Sequence, residues 1–391
     1  MTISTMQQWM VVVSVLLSSF GTPQISNAQN SFSGACAVFA ADGTLATGTL
    51  RDGELETKVD DQGTLVATTH VAIPKIPVWG LSQHCEESFS GDGKWLATVV
   101  PNEELTVLIF DRKTKTVHRS FSSEWYQLRG APIELMYKSS FLGGFLEDDS
   151  LMLWRYVPRA VANTTDASNA DLHLQRWSID GELLSDRDLG DAAWGPYGRQ
   201  PFVDGGGLLW RPSTCGEVFC YRGIKVSAAG IEDAGILKWP KDNADEPVAL
   251  PASGEFLSVL GRTNQKAVIL DSSWGLKSQT SLPYFPSLLG PLVPNWFQDL
   301  RPALSHDGEV AAVGRTRVAW VLVDTDRDWG SEIVLLKTHP LAVTSKVKTG
   351  KGGITAIAVD HRNGILRLVG FWKERWHDLR CEEQHPDKCR E

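Results

Sequence analysis

No CxxC pair, HExxH, GxSxG, CxxCH, Rossmann fingerprint or P-loop occurs anywhere in the 391 residues. Their absence removes the local signatures of structural zinc, a zinc hydrolase, a hydrolase nucleophile elbow, c-type haem and a nucleotide phosphate cradle. KTGKGG at 348–353 lacks the first Gly of a P-loop. The nine histidines are scattered, with no close pair to hold a metal. Residues 1–28 contain no Asp, Glu, Lys or Arg at all. The apolar run MVVVSVLLSSF at 10–20 is shorter than the roughly 20 residues a membrane helix needs, and Pro23 breaks it. It has the length of a signal-peptide core, although no basic residue precedes it. Ser26-Asn27-Ala28 places small residues where a signal peptidase reads, so cleavage is expected after Ala28. The expected organisation is therefore a leader over 1–28, one domain over 29–391 with no further membrane span, and a cysteine-bounded tail at 381–391.

The charge balance excludes another class. A net −9 repels phosphate backbones unless a basic patch is set apart, so no nucleic-acid partner is expected. The one basic cluster, Lys337, Lys346, Lys348 and Lys351, has no interleaved aromatics to stack bases and reads as a solvated loop.

Cysteine is scarce, at 6, but the number is even and all lie beyond the leader, as expected of a periplasmic or extracellular chain. Cys215 and Cys220 would sit across a tight hairpin, and Cys381 and Cys389 enclose a polar loop, so each pair is spaced for a local disulfide. Cys36 and Cys85 are the remainder. Spacing alone does not fix connectivity, because six cysteines allow fifteen pairings.

What the chain has in abundance is Trp, at 15, and a recurring phrase. A strand ends in an Asp- or Gly-containing turn, a hydrophobic strand follows, then a polar turn, a third strand often ending in Asp, and a more polar fourth strand. SFSGDGKWLATVVPNEELTVLIFDRKTKTVHRSF (88–121) is the clearest copy. Residues 253–282 and 305–336 repeat it, with Asp271 and Asp324 expected after their third strands. These two copies also share Gly-Arg-Thr (261–263 and 314–316) and Trp-Gly (274–275 and 329–330). The first turns fall near 42, 92, 148, 204, 253, 307 and 363, spaced 49 to 56 residues apart. Asp-Gly and Asn-Gly supply the positive φ of tight hairpins. A period in the fifties with four short strands per copy predicts an all-β propeller of seven four-stranded blades, though six or eight also fit. The last unit, from about residue 352, has room for two or three strands before the cysteine-bounded tail; residues near 29–40 could complete it, and the mode of ring closure stays open. Two insertions interrupt the pattern, at 157–171 and at 283–299; the second is apolar, with four prolines and a Trp.

The phrase SFSGDGKWLATVV followed by LTVLIFD resembles the repeats of YVTN-type and WD-repeat-like propellers of bacterial exported proteins. The WD dipeptide is replaced by FD, LD and VD. The resemblance implies fold and compartment, and says nothing of activity. Propeller faces bind protein or carbohydrate ligands through loops, so a non-enzymatic binding or scaffold module is expected. The alternative is a hydrolase or lyase whose residues converge from several blades and leave no linear motif. No cofactor is expected beyond a calcium candidate. Asp324, Asp326 and Asp328 alternate in DTDRDWG as oxygen ligands could, but Trp329 stands where an EF-hand loop has Gly and Leu335 where it has Glu. A solvated acidic turn fits them better. Trp372, Trp376 and His377 in GFWKERWHDLR read as packing at the closing blade.

Overall fold

Seven times along the chain a short Asp- or Gly-bearing segment joins a first strand to a second that runs back beside it. The computed structural model describes residues 33–51, 53–61, 64–72, 85–100, 105–123, 140–146, 148–158, 170–192, 202–203, 208–215, 218–227, 230–238, 248–250, 253–260, 265–271, 273, 275–283, 296–299, 302–318, 328–350, 353–382 and 385–390. These form seven antiparallel sheets, each from one uninterrupted stretch of chain.

Blade 1 is β1 (Ser33–Phe39), β2 (Thr44–Arg51), β3 (Glu54–Asp61) and β4 (Thr64–Ala72). Blade 2 is β5 (Glu86–Phe89), β6 (Trp95–Val100), β7 (Leu105–Asp111) and β8 (Thr116–Ser123). Blade 3 is β9 (Ser140–Phe145), β10 (Leu151–Pro158), β11 (Ala170–Trp177) and β12 (Leu183–Ala192). Blade 4 is β13 (Phe202–Val203), β14 (Leu208–Cys215), β15 (Val218–Ser227) and β16 (Gly230–Lys238). Blade 5 is β17 (Val248–Ala249), β18 (Phe256–Leu260), β19 (Lys266–Leu270) and β20 (Leu276–Ser281). Blade 6 is β21 (Trp296–Asp299), β22 (Ala303–Leu304), β23 (Val310–Val318), β24 (Asp328–Thr338) and β25 (Leu341–Gly350). Blade 7 is β26 (Ile354–Arg362), β27 (Ile365–Trp372), β28 (Arg375–Glu382) and β29 (His385–Arg390). The chain is a seven-bladed β-propeller.

Alternation of side chains across each sheet explains why the second and third strands read as unbroken apolar runs. Along β6, Trp95, Ala97 and Val99 join Leu151 and Leu153 of blade 3 in one cluster. Leu96 and Val100 face blade 1, with Ala46 and Val59 and with Leu50 and Leu55 respectively. Blade 6 repeats the pattern. Ala311, Val313, Val334 and Leu336 pack on blade 5, while Ala312, Ile333 and Leu335 pack on blade 7. Each fully buried Leu, Ile or Val contributes about 1.5–3 kcal/mol, so the seams between blades are the core of the molecule.

All seven first turns lie between the first and second strands of their blades, as expected. In Ser90-Gly-Asp-Gly93, the Ser90 hydroxyl donates to Asp92 Oδ1 at 2.6 Å and Gly93 N donates to Ser90 O at 2.8 Å. Ser305-His-Asp-Gly308 repeats both bonds at 2.6 and 2.9 Å. Gly93 and Gly308 stand at φ 69° and 72°, a region that an L side chain rarely tolerates.

One open alternative is decided and one expectation is corrected. The ring does not close by strand exchange. Residues 33–39 pair with β2 inside blade 1, and blade 7 is completed by its own β29. Closure is instead side by side, with Ala35 packed on Ala356, Phe371 and Trp376. Trp376 Nε1 donates to Thr49 Oγ1 at 2.8 Å across the same seam. In blade 6, the third strand is β24, beginning at Asp328, so Asp324 precedes that strand rather than following it. The Gly-Arg-Thr and Trp-Gly phrases therefore occupy different places in their two blades. The end of the 283–299 insertion supplies β21, which pairs with the far half of β23 while β22 pairs with the near half.

Candidate functional site

Strand direction alternates, so the turns joining first to second and third to fourth strands share one rim of the ring. The hairpins joining second to third strands, and the connections between blades, share the other. The turn rim is closed by short segments such as 90–94 and 112–115. The longest separations between strands, 124–139, 282–295, 73–85 and 159–169, all start from strand ends on the opposite, loop rim.

Five of the seven seams carry a cationic or imidazole side chain reaching a neighbouring blade at the turn rim, among the described residues. Arg112 of blade 2 donates to Asp42 Oδ2 at 2.8 Å and Thr44 Oγ1 at 2.7 Å in blade 1, and to Gly93 O at 2.5 Å. Burial pushes the Asp42 carboxyl up, but hydrogen bonds from Arg112 and from the Thr44 N–H outweigh it and hold the pKa down to about 2. His118 of blade 2 meets Asp180 of blade 3 at 2.9 Å. His339 of blade 6 meets Glu255 of blade 5 at 3.0 Å. His361 of blade 7 meets Asp307 of blade 6 at 3.0 Å. Arg362 of blade 7 donates to Ala40 O of blade 1 at 2.8 Å. These partners lie up to 322 residues apart, so no local spacing could have signalled them.

Between blades 1 and 2 the turn rim holds a cleft of about 330 Å³. Val59, Val66 and Phe110 are its apolar lining, and Asp61, Asp92, Lys94, Arg112 and Lys113 its charged lining. Its volume suits a small molecule. Arg112 is committed to Asp42 and Thr44, and Lys94 lies 4.4 Å from the centroid of the Trp95 ring. The cleft can hold a small group of mixed charge. It brings together no nucleophile with an adjacent base.

One arrangement on the same rim does imitate a catalytic relay. Thr338 Oγ1 is 3.1 Å from His339 Nδ1, whose Nε2 is 3.0 Å from Glu255 Oε2. The Thr338 hydroxyl is buried and donates to Gly308 O at 2.6 Å, so it is not primed for attack. The trio is a tie between blades 5 and 6.

The expected site residues fall as follows. Cys36 and Cys85 form a disulfide between β1 and the residue preceding β5. Cys220 and Cys381 are each half of a disulfide. The side chains of Cys215 and Cys389, like Asp324, Asp326 and the Asp328 carboxylate, lie outside the described residues. No group of three or more potential metal ligands occurs among the described residues. Trp372 and His377 stack face to face with centroids 4.0 Å apart, and Trp376 packs on Phe371, so this trio joins blade 7 internally and to blade 1. Lys346 and Lys348 are exposed on β25, the outermost strand of blade 6, where lysines keep an unpaired edge from recruiting another strand.

No family model matches the chain, and no curated protein matches it. Among solved structures, one titled "Structure of Dos1 propeller" matches over 89% of this chain and 78% of its own, at 13% identity and a TM-score of 0.48. At that distance the likeness carries no argument, and the fold rests on the seven sheets themselves. No helix among the described residues is long and apolar enough to cross a membrane.

Proposed function

We propose that this chain is an exported propeller of the YVTN-type or WD-repeat-like kind, and that it is a binding or scaffold module holding a protein or carbohydrate ligand on its loop rim. The observation that carries the reading is the unlike character of the two rims. The turn rim is closed by short hydrogen-bonded turns, whereas the longest stretches between strands leave from the other. A ring of packed sheets with its longest inter-strand segments on one side is how propellers and other scaffolds position binding residues. Export is supported by the apolar leader, by the small residues before Ala28 and by the Cys36–Cys85 disulfide.

The test is photocrosslinking in the exported fraction. A photoreactive residue replaces Lys75, Asn163 or Asp326 in the loop-rim segments, or Lys113, Glu182 or Glu309 on the turn rim. The proposal expects protein or glycan adducts from the first set and none from the second. Adducts confined to the turn rim would overturn it.

A further inference from the structure

Among the described residues, one carboxyl group is placed where a structural role does not account for it. Glu87 lies on β5, at the seam between blades 1 and 2. The residue as a whole keeps some exposure, but its Oε2 is shut off from solvent and has no hydrogen-bond partner. Its Oε1 has one contact, from the Thr98 hydroxyl at 3.5 Å. Leaving a polar atom of this kind buried and unpaired is destabilising, and a Gln or Leu of similar size would avoid burying a carboxyl at all.

The group shares its corner of the seam with a disulfide. A methyl carbon placed on Gly48 would lie 2.7 Å from Cys36 Sγ, 2.9 Å from Glu87 Oε1 and 3.1 Å from Cys85 Sγ. The carboxyl and both half-cystines therefore close on one point, and the missing side chain of Gly48 makes the room. The groups facing Glu87 are thus Thr98 from β6, Gly48 from β2, Cys36 from β1 and Cys85. Glu86, next on the strand, turns to the opposite seam, where it accepts from Leu142 N at 2.5 Å. Burial pushes the Glu87 pKa well above the ordinary carboxylate value, against the hydrogen bond from Thr98, and no ionised neighbour among the described residues opposes that shift.

We propose that Glu87 and the Cys36–Cys85 bond form one proton-coupled dithiol/disulfide unit that responds to an external dithiol and latches blade 1 to blade 2. The thiolate of the dithiol attacks one sulfur and forms a mixed disulfide, and the other sulfur leaves with the electron pair of the S–S bond. Glu87 gives its proton to that departing thiolate, so no sulfur anion is stranded in the seam. The second thiol of the reductant then displaces the remaining cysteine. The reductant leaves as a cyclic disulfide, the second cysteine takes up a proton, and Glu87 is reprotonated from solvent. Two electrons and two protons have passed from the dithiol to the cystine. In the reverse direction the Glu87 carboxylate accepts the proton of the attacking cysteine.

The experiment uses the full oxidised chain and dithiothreitol between pH 6 and 9. Thiols are trapped with maleimide and counted at Cys36 and Cys85 by peptide mass spectrometry. The rate of the native chain is divided by that of Glu87→Gln, which cancels the ionisation of the reductant. The expected ratio is about a hundredfold at the acid end, the scale of positioned proton transfer, falling toward one as Glu87 ionises in the native chain. Thr98→Val removes the one hydrogen bond to the carboxyl and should move that fall to higher pH. A ratio near one throughout, or reduction at the rate of global unfolding in every variant, overturns the proposal. If Glu87→Gln fails to fold, an unmoved profile in Thr98→Val does the same.

Discussion

Replacing both Cys36 and Cys85 with Ala should weaken the ring by about 4 kcal/mol. The bond joins positions 49 apart in sequence. Cross-linking a loop of that length removes about 14 cal/mol/K from the unfolded chain, or about 4 kcal/mol at 25 °C, in the chain-entropy account. Both cysteines are buried, at 6% and 4% exposure, and the small voids left by Ala add to the loss. The enclosed segment is blade 1 almost in full, running from β1 past β4. This is also the terminal blade of a ring that closes without strand exchange, so its other edge is held by packing on blade 7 and by side-chain bonds such as Trp376 to Thr49. The loss should therefore be uneven. Hydrogen exchange should quicken first in β1 to β4, with β18 and β19 of blade 5 changing last. The assay is urea unfolding of the oxidised chain beside the double variant, with exchange mapped by peptide. A destabilisation under about 1 kcal/mol, with the native bond verified by mass spectrometry, would refute the reasoning. So would exchange that rises equally in all blades.

Arg112→Ala should destabilise the chain by about 1–2 kcal/mol, the scale of a partly exposed charge-assisted cluster, as read by denaturant midpoint. Asp42, held near 2 instead of its ordinary 3.8, contributes stability that is present above about pH 4 and is lost as the pH falls toward 2. The side chain is 56% exposed, so solvent screening leaves about 1 kcal/mol of this, and the acid limb of a thermal-midpoint profile should flatten by that much in the Arg112 variant. Glu87 has the opposite sign. A raised folded pKa gives stability that is complete below about 4.5 and declines as the pH rises through the folded value, so Glu87→Gln should gain on the native chain from pH 5 to 8 in the same measurement. Lys373 and Glu374 occupy a hairpin turn at φ 53° and 58°, and Lys373→Asn with Glu374→Gly should stabilise by about 1 kcal/mol. The Arg51–Glu374 pair lost in that variant is 3.5 Å long and exposed on both sides, and contributes too little to reverse the gain.

Much of the ring was legible because its turns impose backbone demands that few residues meet. Asp92-Gly93 and Asp307-Gly308 announce a tight reversal wherever they occur, and a strand buried on both faces must be apolar at consecutive positions, as in Trp95–Val100. The phase within a blade was harder to read. A turn between second and third strands and one between third and fourth ask for the same polar residues, so DTDRDWG was placed one strand too late. Closure could not be read because blade 7 has only six residues in its last strand, HPDKCR, which carry none of the apolar pattern of the inner strands. The clamps and the Glu87 pocket could not be read at all. His118 and Asp180, or Gly48 and Glu87, become neighbours through the curvature of the ring and leave no trace in local spacing.

Since each sheet is drawn from a single continuous run of chain, a duplication or deletion of one whole unit would leave every surviving sheet with its full set of partners. Only the angle between neighbours would have to change, and that angle is set by side chains the size of Ala35 or Leu151, not by hydrogen bonds of the ladder. A ring sewn shut by a shared sheet has no such freedom, because its first and last strands must be gained or lost together. In this molecule the number of blades is therefore a quantity that gene rearrangement can adjust one step at a time.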